Sequence, residues 1–207
     1  MAAFFFKGLV FGFLLAATVG PMWVLCLRRT LAAGTLVGLA SGMGIAVADA
    51  MYGAVAAFGL AAVSSFLLGQ GFWLGLAGAA FLLWLGSKTL LARPVPIEVG
   101  NGAADASARD LAAAFFSTLG LTLANPPTIL AFAAIFAGLG LASNADYAAA
   151  AVIVAGVFLG SAAWWMILAA GAGQLRARLG PGLMRGINIV SGCAILGFAA
   201  WQLAQLV

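Results

Sequence analysis

The sequence predicts an all-α membrane protein with six transmembrane helices, arranged as two inverted halves of three helices each. Three observations lead to this prediction. First, 65% of the 207 residues are apolar and only 7% are charged, whereas soluble domains carry roughly 25% charged residues. Second, the apolar runs reach the roughly 20 residues that a helix needs to cross a bilayer. Third, prolines interrupt the first and fourth runs at about the same depth. A soluble enzyme and a disordered chain are both excluded.

Six apolar segments follow one another along the chain. The first contains Lys7 after three phenylalanines and stays apolar up to Leu27, which favours a retained helix over a cleaved signal peptide. The pair Arg28-Arg29 is expected to end this span. The predicted spans are residues 4–27, 34–63, 66–91, 111–137, 147–173 and 183–206.

A polar stretch at residues 92–110 is the only real linker between the spans. It divides the chain into a first half, residues 1–91, and a second half, residues 111–207. Because each half has an odd number of spans, the second half enters the membrane in the opposite sense, which is the arithmetic of an inverted repeat. Gly20-Pro21 and Asn125-Pro126-Pro127 break the first and fourth spans, each about 16 residues into its span.

The basic residues predict the orientation. Eight lie in or beside the loops after spans one, three and five, and the opposite side has only Lys7. Cytoplasmic loops are enriched in Lys and Arg, so the linker is predicted to be cytoplasmic and both termini to lie outside. The eight are Arg28, Arg29, Lys88, Arg93, Arg109, Arg176, Arg178 and Arg185. The pI near 9.7 therefore reflects topology, and no nucleic-acid partner is expected.

Asp49 is the most informative single residue, because it lies near the middle of the second span. A charge there costs several kcal/mol, so such residues normally face a bundle interior or a wet cavity. Its helical face also carries Gly38, Gly42, Ala46, Tyr52 and Gly53, which allow a second helix to approach closely. We favour a substrate-amine or proton site over the alternative, an acid that only joins helices.

The two broken helices complete the candidate site. A proline inside a helix frees backbone groups, and the start of a half-helix attracts carboxylates. Paired breaks are expected to hold the carboxylate of a small zwitterion while Asp49 holds its amine; a simple kink is the alternative. Thr18 and Thr122 are placed to bind either freed backbone groups or a ligand. The candidate substrate and proton site comprises Asp49, Tyr52, Thr18, Gly20, Pro21, Thr122, Asn125 and Pro126.

Other features are assigned structural roles. Glycines that repeat every four residues, such as Gly8/Gly12 and Gly156/Gly160, predict helix packing within one chain, with a homodimer interface as the alternative. Trp73, Trp164 and Trp165 are assigned to packing or the membrane interface rather than to a substrate path. With no histidine in the chain, neither an imidazole metal site nor a Ser-His-Asp triad can form, and no cofactor and no enzymatic activity are expected.

Several stretches together resemble the LysE/RhtB family of bacterial amino-acid exporters. The family's Pro-Gly-Pro-like break corresponds to Val19-Gly20-Pro21, its third-span glycine pattern to residues 78–88, and its Asn-Pro-Lys motif to Asn125-Pro126-Pro127. Asp49 matches the acid of span two. The sequence departs from the family at Val19, Phe81 and Pro127, and the last of these removes a positive charge.

The resemblance implies a multi-pass protein of the bacterial inner membrane that exports amino acids or related small zwitterionic metabolites, driven by the proton gradient. Its partners would be a small-molecule substrate and the lipid bilayer. One alternative is a membrane scaffold without transport, which leaves Asp49 unexplained. A second is a thiol redox conduit, but aligning Pro21 with Pro126 places Cys26 opposite Ala131 rather than Cys193.

Overall fold

In the computed structural model, the part of the chain that is described consists of α-helices and the short connections between them, and it contains no strand. This part comprises residues 1–57, 69–92, 106–125, 128, 132, 147–176 and 181–206. Most of the predicted linker and the predicted ends of spans two and four lie outside it. The seven helices are α1 (Ala2–Ala17), α2 (Pro21–Ala33), α3 (Thr35–Ala57), α4 (Gly71–Leu91), α5 (Ala108–Leu123), α6 (Tyr147–Arg176) and α7 (Pro181–Ala204).

Three of these helices, α3, α6 and α7, are long and apolar enough to cross a membrane. The α1–α2 pair passes the same test as one span broken by a bend of 75°, which gives up to four spans within the described residues. The prediction of a helical membrane protein is therefore confirmed at this level. The part of α4 from Gly75 to Leu91 is also apolar, but it is shorter than the three helices that pass this test.

The predicted break in the first span is present at the predicted place. α1 ends at Ala17, Thr18 and Gly20 have extended backbone, and Pro21 is the first residue of α2. Proline suits a first helical position because its fixed φ is already helical and the N–H it lacks would have no acceptor there. The break therefore divides the span into two well-formed half-helices rather than one bent helix.

The prediction that Arg28-Arg29 ends the first span is wrong, because α2 continues through both residues to Ala33. The Arg29 guanidinium donates to Ser41 Oγ at 3.1 Å, to the Ala114 carbonyl at 3.0 Å and to Ser117 Oγ at 2.9 Å. Arg28 Nε donates to Asn188 Oδ1 at 3.4 Å. Neighbouring helices thus supply the partners that a loop in water would have supplied.

α1 packs along α6 with the two backbones in direct contact. A Cβ atom on Gly12 would overlap the Val157 carbonyl, and one on Gly160 would overlap the Leu9 carbonyl. Earlier residues of α1 meet earlier residues of α6, since Gly8 lies on Ile153, so the two helices run parallel. These glycine ladders are therefore used within one chain and no longer argue for a homodimer.

The other main pairs have equally clear directions. α3 and α6 run antiparallel, because Gly42 meets Trp165 whereas Asp49 meets Ser161. α3 and α5 run parallel: Thr118 Oγ1 donates to the Ser41 carbonyl at 2.7 Å, and the Tyr52 hydroxyl donates to the Leu123 carbonyl.

The last pair, α4 and α7, runs antiparallel. Leu90 of α4 lies on Gly192 of α7, whereas Gly78, earlier in α4, meets Gln202, later in α7. α2 lies against α3, α6 and α7. All seven described helices contribute to one hydrophobic core, including α4 through Leu82 and Leu85 and α5 through Leu121.

The start of α5 is fixed by a capping box just outside the apolar part of that helix. Ser107 Oγ accepts from the Asp110 N–H at 3.2 Å, and Asp110 Oδ2 accepts from the Ser107 N–H at 3.1 Å. The hydrogen bonds from Ser107 hold the pKa of the exposed Asp110 carboxyl below its ordinary value. The helix that carries Thr118 and Thr122 therefore has a defined first turn.

The substitution Gly160→Ala tests the contact between α1 and α6. Its methyl group would overlap backbone atoms of Leu9, so we expect a loss of stability of roughly 1–3 kcal/mol, typical of overpacking. Gly171→Ala is the matched control, because Gly171 is in the same helix with open space around it. Thermal unfolding in detergent measures both variants. Equal stability of the two would contradict the packing described here.

Candidate functional site

Asp49 is buried in the contact between α3 and α6, with only 3% of its surface exposed. Ser161 of α6 donates a hydrogen bond from its Oγ to Asp49 Oδ2 at 2.7 Å. Gly42, two turns earlier on α3, leaves room for Trp165 of α6. The face of α3 that the sequence predicted to carry small residues is therefore the face that brings α6 close to the carboxyl group.

A cavity of about 340 Å³ lies beside Asp49, at the break between α1 and α2. Pockets for small molecules start at roughly this volume. Residues of α1, α2, α3, α5, α6 and α7 contribute to its wall, so it is central to the described bundle. Its lining residues are Leu15, Ala16, Thr18, Val19, Gly20, Pro21, Met22, Ile45, Asp49, Thr122, Asn125, Thr128, Trp165, Phe198, Trp201 and Gln202.

Most of the residues predicted from the sequence meet in this cavity. Asp49 comes from α3, Thr122 and Asn125 come from α5 and its end, and the other three come from the break: Thr18, Gly20 and Pro21. Pro126 lies outside the described residues. Six of the eight candidate residues, which come from three distant segments of the chain, therefore line one cavity.

Tyr52 is the exception, because it is not among the residues that line the cavity. Its hydroxyl group donates to the Leu123 carbonyl near the end of α5. Its ring packs on Phe132, with the ring centroids 5.8 Å apart. The helical-face argument placed Tyr52 beside Asp49, but the three-residue offset turns its long side chain towards α5, where it joins α3 to α5.

The polar groups of the cavity fall into two kinds. Thr18 Oγ1 donates to the Leu14 carbonyl at 3.2 Å, and Asn125 Nδ2 donates to Thr128 Oγ1 at 2.9 Å. Thr122 Oγ1 and Trp165 Nε1 are buried without a hydrogen-bond partner among the described residues. Buried polar groups usually have a partner, but these two atoms are themselves buried within the bundle and are not exposed to the cavity.

A family model of the LysE type translocators matches residues 13–205, nearly the whole chain. The chain belongs to the LysE type translocator family. No curated protein and no solved structure matches it. Members of this family are transporters of amino acids or other small molecules rather than enzymes, so this translocator is a multi-pass membrane exporter with a small-molecule substrate.

The structure adds to the site of this LysE type translocator residues that the sequence analysis missed. Ser161 bonds the central acid, and Trp165, which the sequence assigned to packing or the interface, lines the cavity. Gln202 lines it as well and donates from Nε2 to the Gly75 carbonyl at 2.7 Å, which joins α7 to α4. A serine and a glutamine inside apolar spans were the available signal, and Ser161 and Trp165 share a face at helical spacing.

A double-mutant cycle tests the contact between Ser161 and Asp49 in this translocator. Ser161→Ala removes a hydrogen bond to a buried carboxyl group, and we expect a loss of about 1–3 kcal/mol. In an Asp49→Asn background the same change is expected to have a clearly different effect, because contacting residues are not additive. Thermal unfolding in detergent measures the four proteins, with Ser87→Ala at an exposed position of α4 as control. Additive effects would contradict the contact.

Proposed function

We propose that this chain exports an amino acid or a related small zwitterionic metabolite across the bacterial inner membrane, coupled to the proton gradient. In this proposal Asp49 binds the amine of the substrate, and the start of α2 at Gly20-Pro21 receives its carboxylate. Thr122 and Asn125, at the end of α5, complete the proposed site in the same cavity. The chain consists of two three-helix halves, residues 1–91 and residues 111–207, and the linker at residues 92–110 joins them on the cytoplasmic side.

One observation carries the proposal: a single cavity contains both a buried carboxyl group and the break between two half-helices. The break matters because the first N–H groups of a helix have no acceptor within it. The first backbone hydrogen bond in α2 runs from Val24 N to the Gly20 carbonyl, so the earlier N–H groups of α2 have no backbone acceptor within the described part of the chain. A carboxylate acceptor and free N–H donors are complementary to the two ends of a zwitterion.

Proton coupling follows from the same carboxyl group. Asp49 is the only charged residue among the described residues that line the cavity. A carboxylate in this apolar position is costly unless a cation or a proton neutralises it. If an amine and a proton compete for it, release of one is linked to binding of the other, and a proton moving inwards can drive the substrate outwards.

The helix pairs support the proposed inverted repeat. The repeat exchanges α1 with α5, α3 with α6 and α4 with α7. This exchange converts the parallel α1–α6 pair into the α3–α5 pair, which is also parallel, and it maps the antiparallel α3–α6 and α4–α7 pairs onto themselves. Contacts of this kind are what two structurally similar halves would make, and transporters bind substrate at such interfaces.

The described basic residues support the proposed orientation, because several gather at one end of the bundle. Arg28 reaches Asn188 near the start of α7, and Arg185 Nη1 donates to the Leu90 and Ala92 carbonyls at the end of α4, both at 2.9 Å. Lys88 belongs to the same last turn of α4. Lys7 is at the other end, beside the α1 glycine that meets Ile153. The positive-inside rule would make the first end cytoplasmic.

Asp49→Asn is the direct test of the proposed function. The amide retains the shape of the side chain and loses its charge, so we expect export to fall to the level of cells without the gene while the protein still inserts and folds. Metabolite profiling of the medium from overexpressing cells measures the export, and membrane yield and thermal unfolding measure the folding.

Asp110→Asn is the matched control, because Asp110 is an exposed acid outside the cavity. It is expected to export as the natural chain does. Undiminished export by a folded Asp49→Asn protein would remove this acid from the mechanism. A medium that never differs from that of control cells would contradict export itself.

The proposed orientation is tested by thiol labelling in a chain without its two native cysteines. We expect a membrane-impermeant maleimide to label Ala2→Cys in intact cells and to label Ser87→Cys only after the membrane is permeabilised. Both positions are exposed, one at the start of α1 and one near the basic end of α4. The reverse labelling pattern would show that the orientation is opposite to the one proposed here, and it would leave the proposed substrate site unchanged.

A further inference from the structure

Arg29 carries a positive charge within the bundle and does not line the cavity. Its guanidinium group donates to Ser41 Oγ of α3 at 3.1 Å, and to the Ala114 carbonyl and Ser117 Oγ of α5 at 3.0 Å and 2.9 Å. We call these four residues the Arg29 cluster. It joins α2 and α3, which belong to the first half of the chain, to α5 of the second half. A single side chain therefore connects the two halves.

The Arg29 cluster contains no acid. The two acids in the described part of the chain are bonded elsewhere, Asp49 to Ser161 and Asp110 to Ser107. A cation that leaves water without an ion partner is costly, and hydrogen bonds to neutral groups offset only part of that cost. Arg29 is only half-buried, so water that enters from the nearby end of the bundle can replace these bonds. The cluster is therefore a reversible contact, whereas an ion pair or an apolar plug would resist hydration.

The Arg29 cluster lies between the cavity and the end of the bundle that carries the basic residues. Leu31, just before α3, packs against the start of α7, so α3 begins at that end, and α5 runs parallel to α3. Ser41 precedes Asp49 by eight residues of α3, which is roughly 12 Å of helix. Ser117 likewise precedes Thr122 on α5. The guanidinium group is therefore nearer to the basic end than the cavity is.

The layer between the cluster and the cavity is closely packed. Thr118 Oγ1 donates to the Ser41 carbonyl at 2.7 Å, and Gly44 of α3 lies directly against the backbone of α5. Cys26, one turn before Arg29 on α2, has no exposed surface. In this structure the cavity is thus closed towards the basic end, which is the cytoplasmic end in the proposed orientation.

We propose that Arg29 is the gating residue that opens and closes the route between the cavity and the cytoplasm. The proposal rests on the export function and the orientation proposed above. It is carried by the position of the Arg29 cluster, which joins the two halves between the cavity and the basic end through neutral partners alone. Transporters with two repeats expose their site to each side in turn by moving one repeat against the other. When the cluster separates, water binds the guanidinium group, α5 moves away from α2 and α3, and a substrate can enter from the cytoplasm.

Closure by Arg29 is tested with Cys26 as a native reporter, in a chain that carries Cys193→Ser. We expect Arg29→Ala to raise at least tenfold the rate at which N-ethylmaleimide modifies Cys26 in membrane vesicles. The reagent is uncharged, so the lost positive charge does not itself change its approach. Arg28→Ala is the matched control, because it removes the neighbouring charge but bonds Asn188 of α7 rather than the cluster. An unchanged rate in Arg29→Ala, or the same rise in both variants, would overturn the proposal.

A second reporter distinguishes the opening of this route from a general loosening of the bundle. Val157 has no exposed surface and lies in α6, where α1 covers it. In a chain without the native cysteines, Val157→Cys is expected to react equally slowly with and without Arg29→Ala. If Arg29→Ala accelerates labelling at this position as much as at Cys26, Arg29 stabilises the whole bundle and is not a gate.

Opening of the cluster is tested by locking it. Ser41 and Ser117 both bond the Arg29 guanidinium group, so a short bifunctional methanethiosulfonate is expected to bridge Ser41→Cys and Ser117→Cys in a chain without the native cysteines. We expect the bridge to lower at least tenfold the efflux of a radiolabelled amino-acid mixture from preloaded cells, and a reducing agent to restore it. A joint that never opens would tolerate the bridge. Where the natural chain exports the mixture, equal efflux before and after bridging would overturn the proposal.

The outcomes separate this inference from the export function on which it rests. If the natural chain exports amino acids, Asp49→Asn does not, and the bridge has no effect, the export function stands and the gate is wrong. If cells with the natural chain release amino acids no faster than cells without the gene, the export function fails. The labelling of Cys26 then still decides whether Arg29 closes the cavity towards the basic end.

Discussion

A carboxyl group inside an apolar bundle is the constraint on which the rest of this structure depends. Asp49 cannot remain there without a hydrogen-bond partner, and Ser161 supplies one from a neighbouring helix at 2.7 Å. That contact requires α3 and α6 to lie close together, and Gly42 makes the approach sterically possible. The position of the acid thus selects the pair of helices at the centre of the fold, and the cavity lies beside that pair.

The break at Gly20-Pro21 gives this centre its access to backbone donors. In an unbroken first span these N–H groups would donate to carbonyl groups of the same helix. Because the two half-helices meet at a bend of 75°, the start of α2 instead lines the cavity. The glycine contacts hold α1 firmly on α6, and Arg28 and Arg29 hold α2 to α3, α5 and α7. The two half-helices are therefore held by different neighbours, and their junction lies between them.

The basic pair shows how tertiary contacts change the meaning of a sequence signal. Two adjacent arginines after an apolar run normally mark the end of a span, because a guanidinium group needs hydrogen bonds that lipid cannot supply. Here Ser41, Ser117 and the Ala114 carbonyl bind Arg29, so the helix continues to Ala33. The same lesson applies to Trp165, which looks like a packing residue in the sequence and is a cavity residue in the bundle.

The sequence by itself determined the helical membrane class, the break in the first span and the position of Asp49 inside the bundle, because hydropathy, proline and a lone charge act locally. Helical periodicity also predicted the small face around Asp49. Only the tertiary structure decided that Ser161, Trp165 and Gln202 belong with that acid and that Tyr52 turns away to the Leu123 carbonyl. These residues are on helices far apart in the chain, and which faces meet depends on the crossing of α3 with α6 and of α4 with α7, which no local pattern specifies.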